Sequence, residues 1–314
     1  MNETTRKIFD NFEVRKSKRQ KYNFAAYIEE IANNNGYSFK TEKGLFGAKN
    51  LVVGDVEKAD VIYTAHYDTC SVLPFPNFIT PKNFLIYLLY QILIVVVAIG
   101  SYVLFGFVLG VIATIINEMA GYYVLYYGAL LFEPILILLL ALMLVGPANK
   151  CTANDNTSGV TTLVDIMCAL SEDKKEKVAF VFFDLEEAGL FGSAGFATKH
   201  KKIMKNKLLI NFDCVSDGDN LLFAVRKGAK VYMPKIEKAF ESDGNFTVEV
   251  LSKGVFYPSD QANFPCGVGV AALNKSKFFG ILYMDKIHTK NDIIYQQKNI
   301  DFLKNGAIKL IDLL

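Results

Sequence analysis

Val61-Ile62-Tyr63-Thr64-Ala65-His66-Tyr67-Asp68 decides the fold, because a short run rich in apolar and β-branched residues ends abruptly in a polar cluster. Such a run is too brief for a helix and reads as a buried strand. The pattern recurs downstream. Val178 to Phe183 leads into Asp184-Leu185-Glu186-Glu187, Leu208 to Phe212 leads into Asp213, and Leu221 to Val225 is a further strand. Phe24 to Ala32, Gly159 to Leu170 and Val231 to Glu241 carry helical spacing. Strands alternating with helices predict an α/β fold with a mixed, largely parallel central sheet and helices on both faces. In open sheets of this kind, sites form just outside the carboxyl ends of the strands. The polar clusters are therefore the candidate functional residues.

Between the first strand and the second lies a segment of different character. From Asn83 to Asn149 only Glu118 and Glu133 are charged. Phe84 to Ile116 and Tyr122 to Val145 are each long enough to cross a bilayer core, which is roughly 30 Å thick and needs about 20 helical residues. This predicts a two-helix transmembrane hairpin turning at Asn117-Glu118-Met119-Ala120-Gly121. Two buried core helices are the alternative. Glu133-Pro134 would fall near the middle of the second span, where Pro favours a kink and an ionised Glu needs a partner, unless that span starts later and leaves Glu133 near the outer interface. Lys82 and Lys150 flank the insertion, which by the positive-inside tendency puts both of its ends on the cytoplasmic side. The expected organisation is a catalytic α/β domain in two parts, 1–77 and 150–314, interrupted by a membrane hairpin at 78–149. The expected location is an integral membrane protein with two spans and a cytoplasmic catalytic domain, with the lipid bilayer as a partner.

The bulk numbers fit this. Of the 314 residues 52% are hydrophobic, high for a soluble enzyme, and the net charge of +2 makes no bulk electrostatic case for nucleic acid. Cys70, Cys151, Cys168, Cys214 and Cys266 are odd in number and form no CxxC pair, which suits reduced thiols better than a disulfide framework. The polar start of the chain predicts no cleaved secretory signal. The basic stretch from Arg15 to Lys21 reads as a solvated helix face, with contact to anionic lipid as the alternative.

The chemistry lies in the clusters. Only three histidines occur, His66, His200 and His288. His66, the polar turn Asn154-Asp155-Asn156-Thr157-Ser158-Gly159, the Glu186-Glu187 pair, Asp213 and His288 all follow strands or turns. Adjacent carboxylates at a buried strand end repel unless cations are present. Imidazole nitrogen with carboxylate oxygen suits zinc, with cobalt or manganese as alternatives.

Taken together, His66-x-Asp68, Asn154-Asp155-Asn156-x-Ser158-Gly159, Glu186-Glu187 with Gly192-Ser193, Asn211-x-Asp213 and Ile287-His288-Thr289-x-x-Asp292 closely resemble the M28 family of zinc aminopeptidases. The resemblance implies two Zn2+ ions per chain, bridged by Asp155. His66 and Asp213 would complete one site, Glu187 and His288 the other. Glu186 would be the general base toward water, and Asp68 would hydrogen-bond the second nitrogen of His66. Tyr257, in a segment resembling the one after the family's metal core, is a candidate to stabilise the oxyanion or line the pocket, or else a packed loop residue. Gln261 stands there where the family usually has His. The implied activity is removal of N-terminal residues from peptides with a free N-terminus. The alternatives are a catalytically altered relative, either a cyclase-type enzyme or a non-enzymatic peptide receptor. Family members also place the bridging Asp about a dozen residues after the first His. Here the whole insertion intervenes, so it must leave and return at nearly the same point, which requires an even number of spans.

Overall fold

The computed structural model describes residues 3–73, 75–120 and 146–314. Its strands are β1 (Phe39–Lys43), β2 (Lys49–Val53), β3 (Val61–His66), β4 (Val178–Phe183), β5 (Leu208–Phe212), β6 (Asn220–Val225), β7 (Thr247–Leu251), β8 (Gly267–Lys275) and β9 (Leu282–Tyr283). They form one sheet in the order β1-β2-β4-β3-β5-β8-β6-β7, with β9 paired to β8. The centre, β4-β3-β5-β8, is parallel. Antiparallel β1 and β2 extend one side, and on the other β6 runs antiparallel to β8 with β7 parallel to β6.

Alternation along the central strands explains why helices cover both faces. Val61, Tyr63 and Ala65 point into one apolar cluster together with Val178, Phe180 and Phe182. Ile62 points into another with Ala179, Val181 and Phe183. A strand apolar on both sides must be covered twice. One face receives α1 (Glu3–Phe12), α2 (Lys18–Asn34), α4 (Gly159–Ala169), α6 (Met233–Ala239) and α7 (Gln297–Leu313), through buried residues such as Ile8, Phe24, Val164, Ile236 and Leu303. The other receives α5 (Phe191–Lys199) through Phe196. The start of α2 is held by a capping box in which Ser17 Oγ accepts from Gln20 N and Gln20 Oε1 accepts from Ser17 N. Two glycines allow close approach at the carboxyl end of the sheet. A Cβ on Gly159 would sit 2.2 Å from Phe212 O, and one on Gly192 would sit 2.1 Å from Asp184 O.

The basic stretch before α2 is not wholly a solvated face. Arg15 is fully buried. Its guanidinium donates to the carbonyls of Tyr67, Phe12 and Glu13 and to Thr157 Oγ1. Lys16 Nζ donates to Ser71 Oγ at 2.7 Å, and Lys21 pairs with Asp184. Sequence pattern could not reveal this, because Tyr67, Thr157, Ser71 and Asp184 lie more than fifty residues away along the chain from the basic residues they meet.

The apolar segment forms α3 (Phe84–Ala120). Phe84–Ile112 is long and apolar enough to cross a membrane, and none of its most apolar window is buried among the described residues. The helix runs on through Asn117 to Ala120, where the sequence suggested a turn, because nothing there breaks it: no Gly or Pro occurs between Val111 and Ala120. Gly121, the second apolar run and Glu133-Pro134 lie outside the described residues. The chain does leave and return at one place. Ser71 pairs with Ala148 in an antiparallel bridge, Val72 N donates to Pro147 O, and Asn149 N donates to Cys70 O.

Candidate metal centre

Five chain segments meet at the carboxyl ends of β3, β4 and β5. His66 is the last residue of β3, Glu186 and Glu187 follow β4, and Asp213 follows β5. Asp155 comes from the turn before α4 and His288 from the loop after β9. The Asp155–Asn156 peptide is cis.

Asp155 lies at the middle. Its Oδ1 is 3.2 Å from His66 Nε2 and its Oδ2 is 3.0 Å from His288 Nε2. His66 Nε2 also lies 3.6 Å from Asp213 Oδ1, and His288 Nε2 lies 3.2 Å from Glu187 Oε2. One carboxylate thus offers an oxygen to each of two imidazole–carboxylate pairs. Glu187 Oε1 is buried with no hydrogen-bond partner. The ligand-type atoms of His66, Asp155 and Asp213 lie within 4.8 Å of one another, as do those of His66, Glu186 and Glu187.

The remaining polar residues brace this arrangement. Asn154 Oδ1 accepts from Ser216 N and Asp217 N. Asn156 Oδ1 accepts from Gly159 N, and its Nδ2 donates to Phe212 O. Asp292 accepts from Asn154 N at 2.8 Å and Asp155 N at 2.9 Å, holding the turn from below. Asp213 accepts from Ser259 Oγ and from Cys214 Sγ. Leu185, Cys214 and His288 have φ of 55°, 57° and 62°. Left-handed non-glycine residues cost about 1–3 kcal/mol each and persist where the surroundings over-determine them.

Asp68 departs in detail from its expected contact. Its carboxylate approaches His66 Nδ1 only to 3.7 Å, while its main-chain O is 3.1 Å from that nitrogen. The carboxylate oxygens instead accept from Glu186 N at 3.1 Å and Glu187 N at 3.3 Å. Tyr257 is buried, and its hydroxyl donates to Asp213 O at 3.0 Å. Gln261 donates to Tyr257 O and lies 3.3 Å from Asn211 Nδ2, so it braces the loop.

The electrostatics are those of a site with surplus negative charge. Burial opposes protonation of His66, but Glu186, Asp155, Asp213 and Asp68 outweigh it and hold its pKa well above the ordinary value. Burial likewise opposes protonation of His288, and Glu187 and Asp155 reverse the balance. Burial, reinforced by Glu187, Asp213 and Asp260, pushes Glu186 well above the carboxylate range against the pull of His66. Burial also raises Glu187. For Asp155 burial pushes the pKa up, but His288 and His66 hold it low. Asp260 and Asp292 are each pushed up to about 7, chiefly by burial. Clustered carboxylates with a central two-sided Asp, paired imidazoles and an orphaned oxygen fit divalent cations such as zinc.

Two neighbours were not singled out from the sequence. Asp260 is fully buried, and neither carboxylate oxygen has a hydrogen-bond partner. Cys70 is buried, with its Sγ within 4.8 Å of ligand-type atoms of Glu187 and His288. Its signal was its position four residues after His66. His200, the third histidine, pairs with Glu42 at 2.8 Å away from the cluster. A cavity of about 800 Å3 is lined among others by Val72, Leu73, Lys286, Thr289 and Ile293, and none of the candidate metal ligands lines it.

The profile of Peptidase family M28 matches residues 142–309, more than half of the chain, and the chain belongs to this family. His66 and Asp68 fall outside the matched residues. No curated protein matches the chain in sequence. Among solved structures, Porphyromonas gingivalis glutaminyl cyclase is similar with a TM-score of 0.58 at 14% identity, covering 99% of this chain and 95% of that one. A Zn-dependent exopeptidase from Parabacteroides distasonis gives 0.56 at 12%, covering 98% and 96%. Legionella pneumophila LapA aminopeptidase gives 0.55 at 12%, covering 98% and 69%. At these identities the likeness is one of fold.

Proposed function

We propose that this chain is a membrane-anchored, two-zinc aminopeptidase. The observation that carries the reading is Asp155, with one carboxylate oxygen facing His66 and the other facing His288. His66, Asp155 and Asp213 would hold one ion, and Asp155, Glu187 and His288 the other. When bound, such a pair supplies Lewis acidity that activates water and polarises a peptide carbonyl.

The chain's own residues do the rest. Glu186 is assigned to neither ion, and its carboxylate, which lies beside His66 and Glu187, can take a proton from the attacking water and pass it to the leaving amine. Asp68 holds the main chain of Glu186 and Glu187 against His66. Tyr257 and Ser259 hold Asp213.

We assign 1–77 and 150–314 to one split catalytic domain. Pairing of β3 with β4 and β5 across the insertion supports this. We assign 78–149 to a membrane hairpin of two spans, supported by the exposed apolar α3 and by the bridge between Ser71 and Ala148. The catalytic side is cytoplasmic in this reading, in keeping with five unpaired cysteines.

The second reading is a cyclase-type enzyme, motivated by the similar fold of glutaminyl cyclases. Purified protein in mild detergent should bind two zinc ions and release amino acids from aminoacyl chromogenic substrates. One ion per chain, with cyclisation of N-terminal glutaminyl peptides and no amino-acid release, would replace the first reading by the second. Bound metal with neither activity would leave a peptide receptor.

A further inference from the structure

We propose that the β8–β9 hairpin is a second membrane contact, with its tip Phe278-Phe279 dipping into the bilayer interface beside the foot of α3. These are the two most exposed large apolar side chains among the described residues, at 93% and 81%. Aromatic rings left in water at a loop tip serve no packing role, whereas at a headgroup boundary they are favoured.

Three further observations support the bilayer as occupant. The turn closes on itself: Ser276 N donates to Ile281 O, Gly280 N to Ser276 O, and Phe279 N lies 3.4 Å from Ser276 Oγ. Backbone groups satisfied internally can enter an apolar layer at low cost. Lys275 and Lys277 directly precede the two rings and are exposed, and Val270 to Met284 contains no acidic residue, so the tip suits an anionic headgroup layer. The hairpin also stands against the membrane helix. Tyr283 meets Phe78 in a tilted ring contact at 5.8 Å, Phe78 meets Tyr90 of α3 edge to face at 5.3 Å, and Ile79 bridges Met284. Tyr90 lies about 9 Å along α3 from Phe84 at 1.5 Å per residue. The base of the hairpin therefore packs on the segment that leads into α3, and that segment packs on the helix through Phe78 and Tyr90.

This inference rests on the membrane reading of α3, and the test separates the two. The chain has no tryptophan, so one substitution creates a unique fluorophore. Phe278→Trp, Phe279→Trp, Val96→Trp in α3 and Phe46→Trp on an exposed loop would each be reconstituted in full-length protein into vesicles containing anionic lipid and brominated acyl chains. The expected result is blue-shifted emission with several-fold stronger bromolipid quenching at 278 and 279 than at 46, and strong quenching at 96. Quenching at 96 but not at 278 or 279 would overturn the hairpin contact and leave the span standing. No quenching at 96 would overturn both. Shielding of 278 and 279 from aqueous iodide without bromolipid quenching would mean that a protein covers the tip, and would also overturn the proposal.

Discussion

Asp68 offers the sharpest test of how the centre is held. Two accounts compete. In one its carboxylate orients His66; in the other it anchors the main chain that carries Glu186 and Glu187. The distances favour the second, at 3.1 and 3.3 Å to the two N–H groups against 3.7 Å to His66 Nδ1. Hydrogen bonds to a charged acceptor are worth about 1.5–3 kcal/mol each, so Asp68→Ala should cost about 3–6 kcal/mol. Asp68→Asn keeps one acceptor oxygen and should cost about half of that. Denaturant unfolding of the metal-free protein reads this cost directly. At saturating zinc, kcat of the Asn variant should stay depressed, because Glu186 is displaced. Metal affinity should change less than about tenfold, since the main-chain O of Asp68 still meets His66 Nδ1 at 3.1 Å. An Asn variant with unchanged metal-free stability, metal affinity lowered about 10–100-fold and kcat restored by excess zinc would refute the anchoring account.

Further outcomes follow from the same geometry. Glu186→Gln is nearly isosteric and should lower kcat by about 10²–10⁴-fold while both ions remain bound, and loss of one ion would make Glu186 a ligand instead. Metal affinity should rise with pH. His66 and His288 have raised pKa values without metal, so near neutral pH they hold protons that a cation must displace. Each displaced proton adds about tenfold in affinity per pH unit until the imidazole titrates, and a pH-independent chelator competition would contradict this. Arg15→Ala should destabilise the fold by about 3–5 kcal/mol, because three carbonyls and Thr157 lose a buried charged donor. A change in melting temperature no larger than that of Arg19→Ala would rule that out.

Much of the architecture was legible because it is local. The strands at Val61, Val178 and Leu208 are predominantly apolar runs, and such runs must be buried on both sides wherever they lie. The polar residues directly after them could only gather at one edge of a parallel sheet. The helix through the insertion was legible for the same reason, since about thirty apolar residues without a charge leave few options. Its passage through Asn117 was not, because polar residues suggest a turn while nothing in the covalent chain enforces one.

Contacts between distant segments were a different matter. Arg15 opens a basic run in sequence, and only the packing of α1 and α2 against the β3 loop puts its guanidinium on Tyr67 O. Asp68 sits two residues from His66, yet its carboxylate serves the loop after β4. Cys70 and Asp260 gained their surroundings from chain segments far away. By itself the sequence determined the strands at Val61, Val178, Leu208 and Leu221, the helices at Phe24, Gly159 and Val231 and the candidate ligands, since these depend on local periodicity and residue chemistry. Only the tertiary structure decided which oxygen faces which imidazole, because those distances are set by how β3, β4, β5 and the turn before α4 stack across the insertion.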